Sequence, residues 1–187
     1  MDIEIHPLKP FLPSGAKILI LGSFPPQRKR WSMDFFYPNM QNDMWRIFGI
    51  IFFGDKEHFI TNGKFDADRI MDFCENKGIA LYDSATSIRR LNNNASDNFL
   101  EVLDKVDLSA LLMNIPNCKI LAVTGQKALD TVSELIKIEK TEIGNFAEFE
   151  YIGRKMRLYR LPSSSRAYPK PLEQKAEIYK RVFDEIL

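Results

Sequence analysis

A chain of 187 residues, 45% hydrophobic and with 14 phenylalanines, is long and apolar enough for a sizeable core and is expected to form one domain over 1–187. No apolar run approaches the ~18 residues of a membrane span. The opening MDIEIHPLKPFLP has no basic region leading into an apolar core, so the expected location is the cytoplasm, or a nucleus where there is one.

Met1 to Ser14 is a proline-punctuated lead-in without a period. Lys17 to Leu21 is an apolar run bounded by turn formers, which predicts a parallel strand covered on both faces. Pro25-Pro26 cannot continue a ladder or enter a helix, so the chain leaves that strand tip as a loop. The loop carries Arg28, Lys29 and Arg30, then Trp31, Phe35, Phe36 and Tyr37, then Asn39, Gln41 and Asn42. Asp43 to Phe53 reads as a helix, Asp55 to Lys64 as a loop, and Asp66 to Lys77 as a helix capped by Asp66 and stopped by Gly78. Ile79 to Tyr82 is a second buried strand ending at Asp83. The next loop holds Thr86, Ser87, Arg89, Arg90 and Asn92-Asn93-Asn94.

Asp107 to Met113 is a short helix, Lys119 to Val123 a third strand ending at Thr124-Gly125, and Gln126 to Ile136 a helix. Glu148 to Ile152 and Lys155 to Leu161 are expected to pair as a hairpin, the later strand joining the main sheet. The last helix opens at Pro171 and buries Leu172, Ala176, Tyr179, Val182, Phe183 and Ile186. Such alternation predicts an α/β three-layer sandwich with a mainly parallel, four-stranded central sheet flanked by helices. The strand ends then carry Gly22, Asp83, Thr124 and Pro162 to one edge, where open α/β sheets bind ligands.

Cys74 and Cys118 lack a C-x-x-C partner and are expected as small buried hydrophobes. His6 and His58 have no metal-ligand spacing around them and are read as structural or surface residues, so no metal is expected. A net charge of +1 does not point to nucleic acid, but its distribution does. Ser23 to Met33, Ser84 to Ser96 and Tyr151 to Leu172 contain no acidic residue and hold most of the clustered arginines, which predicts one basic face. The first loop adds what an extruded base needs: flat rings, amides for its polar edge and cations for the phosphates.

Four segments carry a resemblance. Gly22-Ser23-Phe24-Pro25 with Phe36-Tyr37-Pro38-Asn39-Met40-Gln41-Asn42-Asp43-Met44-Trp45 resembles the first motif region of the uracil-DNA glycosylase superfamily. It is nearest the hypoxanthine-DNA glycosylase branch, where G-S-F-P precedes Y-Y-x-x-x-x-N-x-F-W. Gly78 to Asp83 resembles that branch's G-I-A-L-W-D strand, Gly125 to Ala128 its G-x-K-A turn, and Leu161 to Ser165 its L-P-S-x-S loop. Because the cysteines are only two, the four-cysteine iron–sulfur branches are excluded.

The resemblance implies a monofunctional, cofactor-free DNA glycosylase acting as a monomer on a flipped deaminated base, uracil or hypoxanthine. It assigns Asn42 to orienting water or base and Asp83 to reading the base, the two candidate catalytic residues. The alternative roles are an N-cap for Asn42 and a turn carboxylate for Asp83. Gly22, Ser23, Phe24, Phe36 and Tyr37 are expected against the substrate, with Ser163 and Ser164 gripping phosphates. Arg28, Arg30, Arg89, Lys127, Arg166 and Tyr168 are expected along the DNA. Two departures stand out: Phe24 replaces the Asp or Asn of many relatives, and Leu161 replaces their histidine, as both do in the hypoxanthine-type branch. Pro26 and the Arg28-Lys29-Arg30 triplet depart from that branch as well. The same departures leave open a second reading, a non-catalytic member that binds damaged or single-stranded nucleic acid. A nucleotide-binding protein is disfavoured, because neither G-x-G-x-x-G nor a Walker loop follows the first strand.

Overall fold

In the computed structural model, which describes residues 2–91, 97–139 and 141–186, the central element is β2 (Ile18–Gly22), buried at every position. β5 (Ile79–Asp83) pairs parallel on one side of it and β8 (Ile120–Thr124) on the other. β10 (Arg154–Leu161) extends the sheet beyond β8 in parallel, and β9 (Phe146–Tyr151) closes that edge antiparallel. The order β5-β2-β8-β10-β9 is five-stranded, not four-stranded as expected. The extra strand is the first arm of the hairpin, which stays hydrogen-bonded along β10. Its turn places Ile152 at φ 45° and Gly153 at φ 73°, the pair of positive φ angles that suits a two-residue hairpin.

The chain runs from β2 to β5 on one side and later to β8 on the other, so the crevice beyond β2 and β8 is a topological switch point. Complete burial of β2, β5 and β8 means both faces of the sheet are covered, as continuous apolar runs require. α1 (Met44–Phe53) packs on α5 (Leu172–Phe183), with Phe48 edge-on to Phe183 at 5.1 Å. α2 (Ala67–Lys77) is capped by Asp66, whose carboxylate accepts the Arg69 N–H at 3.1 Å, and ends at left-handed Gly78. α3 (Leu108–Asn114) is capped in the same way by Asp107. α4 (Gln126–Ser133) stops short of the expected Ile136.

A second sheet corrects the sequence reading. The stretch expected as a loop after Asp83 is β6 (Ala85–Arg90), sandwiched between β1 (Ile3–Ile5) and β7 (Leu100–Lys105), all antiparallel. Bulges between Ala85 and Ile88 break the period-2 alternation that would have marked a strand. Asn92-Asn93-Asn94, expected in the same loop, lie outside the described residues. The expected loop at Asp55 to Lys64 contains a small hairpin, β3 (Ile60–Thr61) and β4 (Lys64–Phe65). Among the described residues no helix is long and apolar enough to cross a membrane.

Candidate active site

The ends of β2, β5, β8 and β10 open into one cleft of about 1190 Å³, lined by Gly22, Asp83, Thr124 and Pro162 among others. That exceeds the ~300–1,000 Å³ of an ordinary small-molecule pocket, so the cleft has room for a nucleotide and part of its strand.

The floor is the Gly22-Ser23 turn. Gly22 is opposite Asp83 in the β2–β5 ladder, and a Cβ on Gly22 would come 2.4 Å from Asp83 Oδ1. Only glycine lets that carboxylate lie over the strand tip. Asp83 Oδ2 accepts a hydrogen bond from His6 Nε2 at 2.8 Å, and both side chains are almost fully buried. The other His6 nitrogen sits against the Leu8 backbone, which fixes the ring. The neighbouring Ser23 hydroxyl donates to Asp97 Oδ1 at 2.8 Å. Burial and the nearby Asp83 charge push the Asp97 carboxyl above its ordinary range.

The walls are aromatic. Phe24, Phe36 and Tyr37 all line the cleft, yet Phe36 and Phe24 are only 3% and 8% exposed. Phe36 packs on Phe35 and Tyr82, while Phe24 meets the His6 ring edge-on at 5.3 Å. Both rings belong mainly to the core and present little surface to the cleft. Tyr37 is more open, in the left-handed region at φ 51°, with its hydroxyl 3.1 Å from Thr124 Oγ1. Burial and the Asp83 charge push the Tyr37 phenol well above its ordinary value, so it remains protonated. Trp45, fully buried in α1, donates from Nε1 to the Phe36 carbonyl at 3.0 Å and so anchors the Phe36-Tyr37 segment.

Asn42 lines the cleft one residue ahead of Asp43, the N-cap of α1, and its Oδ1 accepts the Met44 N–H at 2.9 Å in an i→i+2 turn. Its backbone forms an antiparallel bridge to Ser165. On either side of that bridge, the Asp43 N–H donates to the Ser164 carbonyl at 2.8 Å and the Arg166 N–H to the Gln41 carbonyl at 2.9 Å. The serine loop is thereby strapped to the segment entering α1. Beneath the strap, Asp43 accepts from Arg166 through Oδ1 and from the buried Lys175 through Oδ2, and Lys175 also donates to the Ser165 carbonyl at 2.8 Å. Tyr179 donates to the Pro162 carbonyl at 2.8 Å. Ser163 is partly open and Ser164 is buried, and both line the cleft.

The cationic face is narrower than the sequence suggests. Arg30, Lys127, Arg160 and Arg166 line the cleft, together with Tyr168. Arg28 does not: it pairs with Asp34 and lies 4.3 Å over the Trp31 ring, just outside. Arg89 is on β6, pairs with Glu101 at 2.7 Å and is away from the cleft, so its expected place along the DNA is not supported by its position. Arg90 is buried, held by Glu4 and the Pro25 carbonyl. Arg154 donates to the carbonyls of Leu112 and Ile115 at the end of α3, and Arg157 pairs with Glu148 and Glu185.

Sequence reasoning missed His6, Asp97, Asp43 and Lys175. His6 and Asp83 are 77 positions apart, and Asp43 and Lys175 are 132 apart, so no local pattern links them. Asp97 had a weak signal, being the first acid after a long acid-free stretch. Among the described residues no cluster of His, Cys, Asp or Glu gathers as a metal site.

Fold and cleft together define a class: an open, mostly parallel α/β sheet with a polar, aromatic-walled cleft at its switch point. A solution NMR structure from Methanosarcina acetivorans, of a protein provisionally named a uracil DNA glycosylase, has the same fold. It is 21% identical, with a TM-score of 0.68 over 99% of this chain and 99% of that one. No family model and no curated protein matches the chain.

Proposed function

We propose that this chain is a monofunctional DNA glycosylase that hydrolyses the N-glycosidic bond of a flipped deaminated base, uracil or hypoxanthine. The observation that carries the reading is the convergence of four motif-bearing strand ends on one cleft with aromatic walls, buried carboxylates and cations along its rim. The fold shared with the Methanosarcina acetivorans protein supports it, since that protein is provisionally named a uracil DNA glycosylase.

The base enters over Gly22-Ser23, against Tyr37, with Phe24 and Phe36 beside it. Stacking of the base on the Tyr37 ring would be worth ~1–3 kcal/mol. Asp83, fixed by His6, reads the donor edge of the base. Asn42 uses its remaining amide N–H groups, because its Oδ1 is already engaged by the Met44 N–H. Ser163, Lys127, Arg30 and Arg166 hold the phosphates, Tyr168 lies beside the vacated stack, and Arg28 extends the track along the strand. The chemistry is differential stabilisation of the oxocarbenium-like sugar, with no cofactor, in a monomer acting in the cytoplasm.

The test is incubation with oligonucleotides that each carry one uracil, hypoxanthine or xanthine, followed by alkali. Strand cleavage at the lesion is the expected outcome, and its absence for all three sinks the proposal. The second reading, a non-catalytic binder of damaged or single-stranded nucleic acid, is favoured by one feature: the Asn42 Oδ1 is already engaged by the Met44 N–H. Salt-sensitive binding without turnover would select it.

A further inference from the structure

The cleft holds two carboxylates, and their surroundings make them unlike. Asp83 lies over Gly22 and Asp97 is bonded to Ser23, so the two acids reach consecutive residues of one turn. Asp83 has a buried imidazole nitrogen at 2.8 Å. Asp97 has a neutral hydroxyl, in a place where burial and the Asp83 charge both raise its proton affinity. The two carboxylates thus have different partners, an imidazole for Asp83 and a hydroxyl for Asp97, as a positioned group and a proton-exchanging group require.

The other groups in the cleft narrow the choice. Asn42 carries an amide that cannot take a proton, and Tyr37 is locked as the neutral phenol. The remaining titratable residues lining the cleft are Lys127, Arg30, Arg160, Arg166 and Tyr168, which are cations or a phenol at neutral pH. Asp97 is faced by Ser23 from the β2 turn, Asp83 from β5, Lys127 from α4 and Arg90 from β6. Of the two cations, Arg90 is already engaged by Glu4 and the Pro25 carbonyl. Asp97 therefore lines the cleft with a raised proton affinity and a hydroxyl as its hydrogen-bond partner.

We infer that Asp97 is the proton acceptor for the attacking water, an assignment that rests on the glycosylase reading and deepens it. The water oxygen bonds to C1′ as the C1′–N bond breaks, and the bonding pair leaves on the base nitrogen. The water proton passes to an Asp97 oxygen, and the released base anion takes a proton from solvent. Asp83, held by His6 Nε2 at 2.8 Å, stays at the edge of the base and takes no part in this proton transfer.

The test compares single-turnover base release and duplex affinity for the wild type, Asp97→Asn and Ser23→Ala across pH. Asp97→Asn is expected to lose about 10²–10⁴ in rate with affinity unchanged, and to lose the acid limb of the profile. Ser23→Ala removes a bond that favours the anion, so its acid limb moves to higher pH. Wild-type rate and profile in Asp97→Asn overturn the assignment and leave the glycosylase reading intact. If that variant does not fold, the Ser23→Ala profile decides, and an unmoved limb overturns the assignment. A wild type that releases no base from any duplex overturns both, and there the glycosylase reading is what failed.

Discussion

Gly22 and Asp83 are adjacent across the β2–β5 ladder, and the space where Gly22 would carry a side chain is occupied by the Asp83 carboxylate. A methyl group there meets Oδ1 at 2.4 Å and has the Tyr37 hydroxyl 3.2 Å away. Gly22→Ala should therefore push Asp83 off His6 and disturb the mouth of the cleft. Its overpacking costs about 1–3 kcal/mol of stability. Product formation should fall by more than that loss of folded protein explains, as rate measurements normalised to the folded fraction will show.

The strap between the serine loop and the start of α1 depends on a buried ion pair. Lys175 is 1% exposed and Asp43 is 6% exposed, so truncating either partner leaves a buried charge without its match. Asp43→Ala should cost about 3–5 kcal/mol by denaturant unfolding, and the double variant Asp43→Ala/Lys175→Met markedly less than the sum. A double-variant cost equal to the sum of the two single costs would show that the charges do not act as a pair.

Asp97 gives a pH signature in stability as well as in rate. Its folded carboxyl binds a proton more tightly than in the unfolded chain, because burial and Asp83 raise its pKa. Between the ordinary carboxylate pKa and that raised value, the native state holds the extra proton, so this group's contribution to stability falls as pH rises and then levels off. Asp97→Asn should melt higher than the wild type at neutral pH, with the gap closing at acid pH. Thermal melts of the two proteins across pH check this, and a pH-independent gap would contradict it.

Cation position separates cleft contacts from ordinary surface charge. Lys127→Ala and Arg166→Ala should each weaken duplex binding across sequences and reduce the slope of log affinity against log salt by about one. Arg89→Ala removes a charge already matched by Glu101 outside the cleft, so the same titration should show no change.

The strands at β2, β5 and β8 were legible because each is a short unbroken apolar run, a pattern that survives without knowledge of its neighbours. The caps Asp66 and Gly78 were legible for the same local reason. β6 was not, since its bulges break the alternation and its partners come from the N-terminal lead-in and from β7. The split of arginines followed a similar line. An acid-free stretch marked Arg89, Arg90, Arg154 and Arg157 as candidates for a basic face, but their partners Glu4, Glu101, Glu148, Glu185 and the α3 carbonyls lie in other segments. The motif glycine, asparagine, aspartate and serine were visible as letters. The His6 and Asp97 side chains that tune them come from the second sheet and its connection, which only the fold brings near.

Direct chromatographic measurement of free base released from single-lesion duplexes, with the strand examined before any alkali, tests the whole account. The expected result is stoichiometric release of uracil or hypoxanthine from an uncut strand, slowed about 10²–10⁴-fold in Asp97→Asn. A duplex that is bound tightly yet yields no free base, or a strand cut without alkali, would contradict it.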